Sequence, residues 1–306
     1  MLLAKKKSTK IIESRGDRVL SWITSFVLVL LLVIIGYPVI YVISCSFSSS
    51  KALEIGSVVL WPVDFSLEAY KFVLAYKDVW VGFRNSVFYC VCDVLFQMTC
   101  TVLVAYPLSR SYLQGKNFYT MFFYMTTRFG AGLIPVFILK CDMGLFDNVW
   151  AVLIAGSIGI SHILILRTAI RSSIPSELHD AAMIDGANHF QTVFKVVLPL
   201  VKATLSVLTL YCIVGQWNEY FTSMIYLRDK RWYPLQLVLR PIMTAASMVG
   251  KMETGEMAGT YQQQADQGLE NVRYALIIIS STPIIVAYFF VQKYFKGGVM
   301  MGSVKG

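Results

Sequence analysis

Charge is what this 306-residue chain has least of: 15% of its residues are Asp, Glu, Lys or Arg, against 56% hydrophobic, with a mean hydropathy of +0.61. Soluble domains carry about 25% charged residues, so this balance excludes an ordinary water-soluble fold. Histidine is scarce, and His162, His179 and His189 stand in no metal-ligand spacing. The six cysteines (Cys45, Cys90, Cys92, Cys100, Cys141, Cys212) fall mostly in or beside apolar runs. Their nearest pair, Cys90-Val-Cys92, lacks the CxxC spacing of redox and metal sites, so they read as small buried hydrophobes. A Gly-x-x-x-x-Gly-Lys-Ser/Thr phosphate loop is absent, which argues against ATP hydrolysis by this chain, and no nucleophile–base spacing marks a catalytic centre.

What the chain does have is long apolar runs. No charged residue occurs from Val19 to Ser50, and a helix needs about 20 apolar residues to cross the hydrocarbon core. The run is too long for a signal-peptide core and ends in no small-residue cleavage site, so it is expected to remain as a first span. Pro38 is expected to kink its outer part. Spans are placed near 20–44, 83–107, 118–139, 149–167, 203–226 and 273–294. Their length without strict alternation favours helices, giving an all-α integral membrane protein that crosses the bilayer about six times.

Bases exceed acids, 27 to 18, and their placement sets direction rather than implying nucleic acid. The arm 1–18 (Lys5, Lys6, Lys7, Lys10, Arg15, Arg18), then Arg110 and Lys116, Arg167 and Arg171 with Lys195 and Lys202, and finally Lys293, Lys296 and Lys305 share one side. That side is expected to be cytoplasmic, with both termini inside and a tail over 296–306. The outer segments are 45–82, 140–148 and 227–272, although Arg228, Lys230 and Arg231 weaken the rule there. Ala151, Ala155 and Gly159 set small side chains on one face of the fourth span, where another helix can come close.

The informative non-membrane stretch is 173–202, SIPSELHDAAMIDGANHFQTVFKVVLPLVK. Pro175 suits a first helical turn, Glu177 and Asp180 lie near the positive end of the helix dipole, and Gly186 can stop the helix. Phe190, Val193, Phe194 and Val197 then recur at helical spacing, so a short helix, a turn and a second short helix precede the fifth span. The residues Asp180-Ala181-Ala182, Asp185-Gly186-Ala187, Phe194 and Leu198-Pro199 resemble the cytoplasmic EAA signature of ABC importer permeases. Asp180 stands where that signature usually has Glu, and Ala203 where sugar permeases often have another Pro.

Gly132-Leu133-Ile134-Pro135, Trp217-Asn218, Tyr233-Pro234-Leu235-Gln236 and the tail Lys293-Tyr294-Phe295 through Lys305-Gly306 extend the resemblance to the carbohydrate branch, the maltose- and polysaccharide-type permeases. The resemblance implies a type I ABC importer permease fold with a cytoplasmic coupling helix, in a bacterial cytoplasmic (inner) membrane. Implied partners are a second homologous permease, two ATP-binding subunits and an extracytoplasmic sugar-binding protein, with ATP and Mg held by the ATPases and no cofactor by this chain. The coupling residues would be Asp180, Ala181, Ala182, Asp185, Gly186, Ala187, Phe194 and Pro199. The outer stretch 250–272, with Gln262, Gln263, Gln264 and Asn271, would meet the binding protein. The tail either reaches between the ATPases or is a disordered end.

Asp93 and Arg128 lie well inside the second and third spans, where a charge is costly and must face a cavity or another charge. They can form a structural pair. Alternatively Arg128, followed by Gly130-Ala131-Gly132, lines the pathway and binds an acidic sugar through its fork of donors. Trp217, Asn218 and Glu219 can stack on and hydrogen-bond a sugar, or simply sit at the membrane interface. The competing function is an ion-coupled secondary transporter with Asp93 as its ion site, which would leave the segment Asp180 to Pro199 without a purpose.

Overall fold

The computed structural model describes residues 14–154, 158–249 and 269–302, and every regular element among them is helical. The arm bases Lys5 to Lys10, Ala155, Gln262 to Gln264 and the Lys305–Gly306 end lie outside the described residues.

Helix α1 (Arg15–Ser46) starts at a capping box in which Ser14 and Asp17 exchange backbone-to-side-chain bonds, and it runs unbroken through Pro38. Its apolar side chains from Val19 to Ile35 are exposed. Two short helices, α2 (Ser50–Glu54) and α3 (Glu68–Ala75), lead into α4 (Lys77–Ser109). Helix α4 is the central post. Its buried residues Ser86, Cys90, Asp93, Gln97, Thr101 and Ala105 recur every three or four positions, so they form one stripe facing the helices packed on it.

The third expected span, 118–139, is broken rather than continuous. Helix α5 (Lys116–Arg128) ends at Phe129, and α6 (Leu133–Asp142) leaves at 110°. Gly132, at φ 80°, adopts a backbone conformation that a Cβ disfavours, and Pro135 cannot donate to a continuing helix. The fourth span divides between α7 (Val149–Ile154) and α8 (Ile160–Ser173), with residues outside the described set between them.

Beyond it come α9 (Ser176–Ile184), α10 (His189–Thr192), a π-helical turn Val193–Val197, and α11 (Leu198–Leu200). Pro199 explains the wide turn. Its ring would meet the Lys195 carbonyl in a regular α-helix, and the chain widens so that the Leu198 N–H reaches back to Val193. The fifth span, α12 (Lys202–Trp217), then turns away at 86°. It stops nine residues short of the expected end: Asn218 caps it, and α13 (Phe221–Tyr226) is separate.

The segment expected to be an outer loop contains a helix with Pro241 inside it, α14 (Leu235–Val249). The last helix is α15 (Leu269–Gly302). Three helices (α1, α4 and residues 271–294 of α15) are long and apolar enough to cross a membrane, and up to five spans result if each bent pair counts as one, among the described residues.

Two cores hold the post at its two ends. Val79 and Cys90 of α4 pack with Ala69 and Val73 of α3, Trp217 of α12, Leu235 and Leu239 of α14, and Val272, Ala275 and Leu276 of α15. At the other end Ala105, Tyr106 and Leu108 pack with Ile163, Leu166 and Ile170 of α8 and with Val193 and Val197 of the π turn. Gly82 makes the first core possible, because a Cβ there would stand 3.1 Å from the Leu235 Cα. The loop before α14 is pinned to α4 by the Asn85 amide, which donates to the carbonyls of Arg231 (2.7 Å) and Tyr233 (3.0 Å), and by the Tyr89 hydroxyl, which donates to Trp232 (2.8 Å).

Candidate functional site

Helix α9 ends by glycine chemistry. The Ala187 N–H donates to Ala182 at 3.0 Å and the Gly186 N–H to Met183 at 3.1 Å, the paired bonds of a Schellman stop. Gly186 sits at φ 79° in open space, so its backbone conformation, not crowding, demands glycine. The chain then restarts at once: Asn188 and Gln191 form a capping box, with Gln191 N–H to Asn188 Oδ1 at 2.8 Å and Asn188 N–H to Gln191 Oε1 at 3.0 Å.

These local rules build an exposed elbow. Asp180, Ala181, Asp185, Gly186, Phe194 and Pro199 are exposed, while Ala182 and Ala187 are half-buried. Around them Ile184 is 85% exposed, Phe190 68% and Phe194 64%. Large apolar side chains left open beside carboxylates form the kind of patch that meets another protein or the membrane. All eight signature residues therefore lie in or beside the elbow. Between it and α4 lies an apolar groove of about 860 Å³, walled by residues that include Met98, Tyr106, Phe190, Val193, Phe194 and Leu205.

The elbow is fastened to α4 by a residue that sequence reasoning did not assign to it. His179 of α9 is 3% exposed, and its ring centroid is 6.1 Å from that of Tyr106. The same Tyr106 ring carries Arg110, whose guanidinium carbon lies 5.2 Å from its centroid and 5.9 Å from that of Tyr112. Burial, and secondarily the neighbouring Arg110 charge, push the His179 imidazole down to about 4, so it is neutral near pH 7. The only advance signal was a histidine adjoining the signature.

The membrane-embedded candidates separate in space. Asp93 is 7% exposed on the buried stripe of α4, whereas Arg128 is exposed at the end of α5. They do not pair: the one ion pair among the described residues joins Arg231 and Asp229. Arg128 instead donates to the Tyr124 hydroxyl at 2.8 Å, and its guanidinium carbon lies 5.2 Å from that ring's centroid, a consequence of their i, i+4 spacing. It stands where the α5–α6 backbone breaks, and such irregular backbone at membrane depth belongs beside protein or a wet cavity.

Of the two roles open to Trp217, stacking on a sugar does not fit this structure. The ring is 3% exposed, lies edge-on to Phe83 at 5.7 Å, and donates its indole N–H to the Ser280 carbonyl at 2.8 Å. Asn218 is exposed but donates to Val214 at 2.9 Å, ending its own helix. Glu219 accepts from the Thr222 N–H at 2.6 Å and so starts α13. Asn271 donates to the Ser48 carbonyl at 3.1 Å and is buried. Gln97, His162 and Cys212 are also brought together inside, with Cys212 Sγ 3.8 Å from His162 Nδ1. A Cβ on Gly159 would lie 3.1 Å from Gln97 Nε2 and 2.7 Å from His162 Nδ1. No group of three metal-ligand side chains occurs among the described residues.

A set of long apolar helices, with a break between α5 and α6 and an exposed elbow between α8 and α12, has the make-up of a membrane permease. The chain is 34% identical to the polygalacturonan/rhamnogalacturonan transport system permease protein YtcP of Bacillus subtilis (strain 168), over 88% of this chain and 92% of that one. It is 30% identical to Protein LplC of the same organism, over 88% and 89%. A crystal structure of a bacterial ABC transporter that imports the acidic polysaccharide alginate contains a chain of like fold, with TM-score 0.80 and 34% identity over 93% of this chain and 99% of that one. No protein-family model matches. The chain belongs to the permease subunits of carbohydrate ABC importers. That membership favours an ATP-driven importer over an ion-coupled transporter.

Proposed function

We propose that this permease forms half of the pore of an importer for acidic oligosaccharides and takes its drive from ATPase subunits through the elbow Asp180–Pro199. The observation that carries the reading is the elbow itself: Gly186 turns the chain at φ 79°, and Ile184, Phe190 and Phe194 stand exposed around it. Closure of the partner ATPases pushes this elbow, the push reaches the membrane helices, and the pore alternates between its two sides. A second homologous permease supplies the other half, two ATP-binding subunits hold ATP and Mg, and an extracytoplasmic binding protein delivers the sugar. The elbow and both termini then face the cytoplasm, which agrees with the distribution of bases.

Acidic cargo is supported by Arg128, an exposed guanidinium without a carboxylate partner at the broken span, and by similarity to a transporter involved in alginate import and to a polygalacturonan transport system permease. Asp93 serves as a buried polar group of the helix bundle, and Asn218 and Glu219 shape the bend after α12.

The test is purification of this chain in mild detergent from cells expressing its neighbouring genes, followed by mass measurement and an ATPase assay. The expected result is an assembly with a second permease and two ATPase copies, whose hydrolysis rises when the binding protein carries an oligouronate. Purification of the chain alone, with transport in vesicles lacking ATP, would sink the reading.

A further inference from the structure

Three nitrogen atoms at the junction of α4 and α9 are buried without a hydrogen-bond partner: Arg110 Nε, His179 Nδ1 and His179 Nε2. Buried donors and acceptors are ordinarily satisfied, and leaving one open is costly. The two side chains lie against the same Tyr106 ring, and both are at least nine-tenths buried. Their chemistry is complementary. Arginine Nε carries an N–H that can only donate, and a neutral imidazole offers one nitrogen that can only accept.

We propose that Arg110 and His179 are positioning residues that form a joint between the elbow and the membrane helices, closing an Arg110 Nε–H to His179 nitrogen bond when α9 is pressed toward α4. This rests on the elbow being the ATPase-coupling segment. The donor and the acceptor of this bond stand on opposite elements, Arg110 at the end of α4 and His179 on α9. Arg110 is well placed to pass movement on. It is the residue that ends α4, with its N–H donating to the Pro107 carbonyl at 3.0 Å, and α4 runs unbroken back to Lys77 at the far end of the bundle. A neighbouring clamp ties the same end of α4 to α8, since Arg167 Nε donates to the Leu108 carbonyl at 3.0 Å. Pressing on α9 through this joint therefore moves α4 as a rod rather than bending a loop.

The experiment uses the assembled complex in lipid vesicles, with an environment-sensitive fluorophore attached by a membrane-impermeant reagent at Lys77→Cys, an exposed position at the far end of α4. Hydrolysis and the fluorescence change on adding ATP and Mg are read together. His179→Leu and Arg110→Leu are expected to hydrolyse ATP within about twofold of the parent while the fluorescence change falls at least fivefold. His179→Gln, which keeps a donor and an acceptor at similar size, is expected to restore the change. Equal responses in the parent and the leucine variants overturn the joint alone, as does a glutamine variant as deficient as leucine. A parent complex that hydrolyses ATP without any response at position 77 overturns the coupling reading and the joint with it.

Discussion

Trp217 and Ser280 are joined by a 2.8 Å bond from the indole N–H to the backbone carbonyl, tying the end of α12 to the middle of α15. The tryptophan is thus a rivet between two spans, not a platform for sugar. Replacing it with Phe removes the donor and is expected to cost about 1–3 kcal/mol. Thermal unfolding of the detergent-solubilised protein should show the loss, while the ratio of uptake rates for different sugars stays unchanged.

Gly186 predicts a loss of a different kind. A Cβ meets nothing there, so Gly186→Val leaves packing intact but forces a β-branched residue into the left-handed region, at about 1–2 kcal/mol or more. Gly186→Asn is tolerated there better than valine. Co-purification of ATPase with the valine variant should fall severalfold and with asparagine much less.

If the proposed acidic cargo is right, Arg128 is the residue expected to separate cargo by charge. Arg128→Gln keeps polarity but removes the cation, so uptake of oligouronates is expected to fall at least tenfold while uptake of neutral oligosaccharides changes less than twofold. Equal losses for both would assign Arg128 to structure, held as it is against Tyr124.

His179 sets a pH dependence. Burial first, and the Arg110 charge second, lower its folded value to about 4 from the ordinary 6.5, while Asp180 opposes the shift. Between those values the unfolded chain binds more protons, so stability rises with pH across the window and falls on acidification from about 6.5 toward 4. His179→Gln should flatten that part of the profile in thermal unfolding measured at several pH values.

The bundle was legible because span length and the distribution of bases are one-dimensional properties: about 20 apolar residues must cross the membrane wherever they later pack. The elbow was legible for a similar reason, since the Schellman stop at Gly186 and the capping box at Asn188–Gln191 use neighbours only. The role of Trp217 stayed open because an aromatic residue near a span end looks the same whether it faces a sugar or Ser280. Helix α14 was missed because its start at Leu235 is set by close approach to Gly82 of α4, across the fold.

By itself, then, the sequence determined the apolar helices and the turn that makes the elbow, because each depends on residues within a few positions of one another. Only the tertiary structure decided that Asp93 and Arg128 stay apart and that Trp217 is buried. It alone brought His179 beside Arg110. Those outcomes depend on how helices far apart in the chain rotate and pack, and local residue order does not encode that.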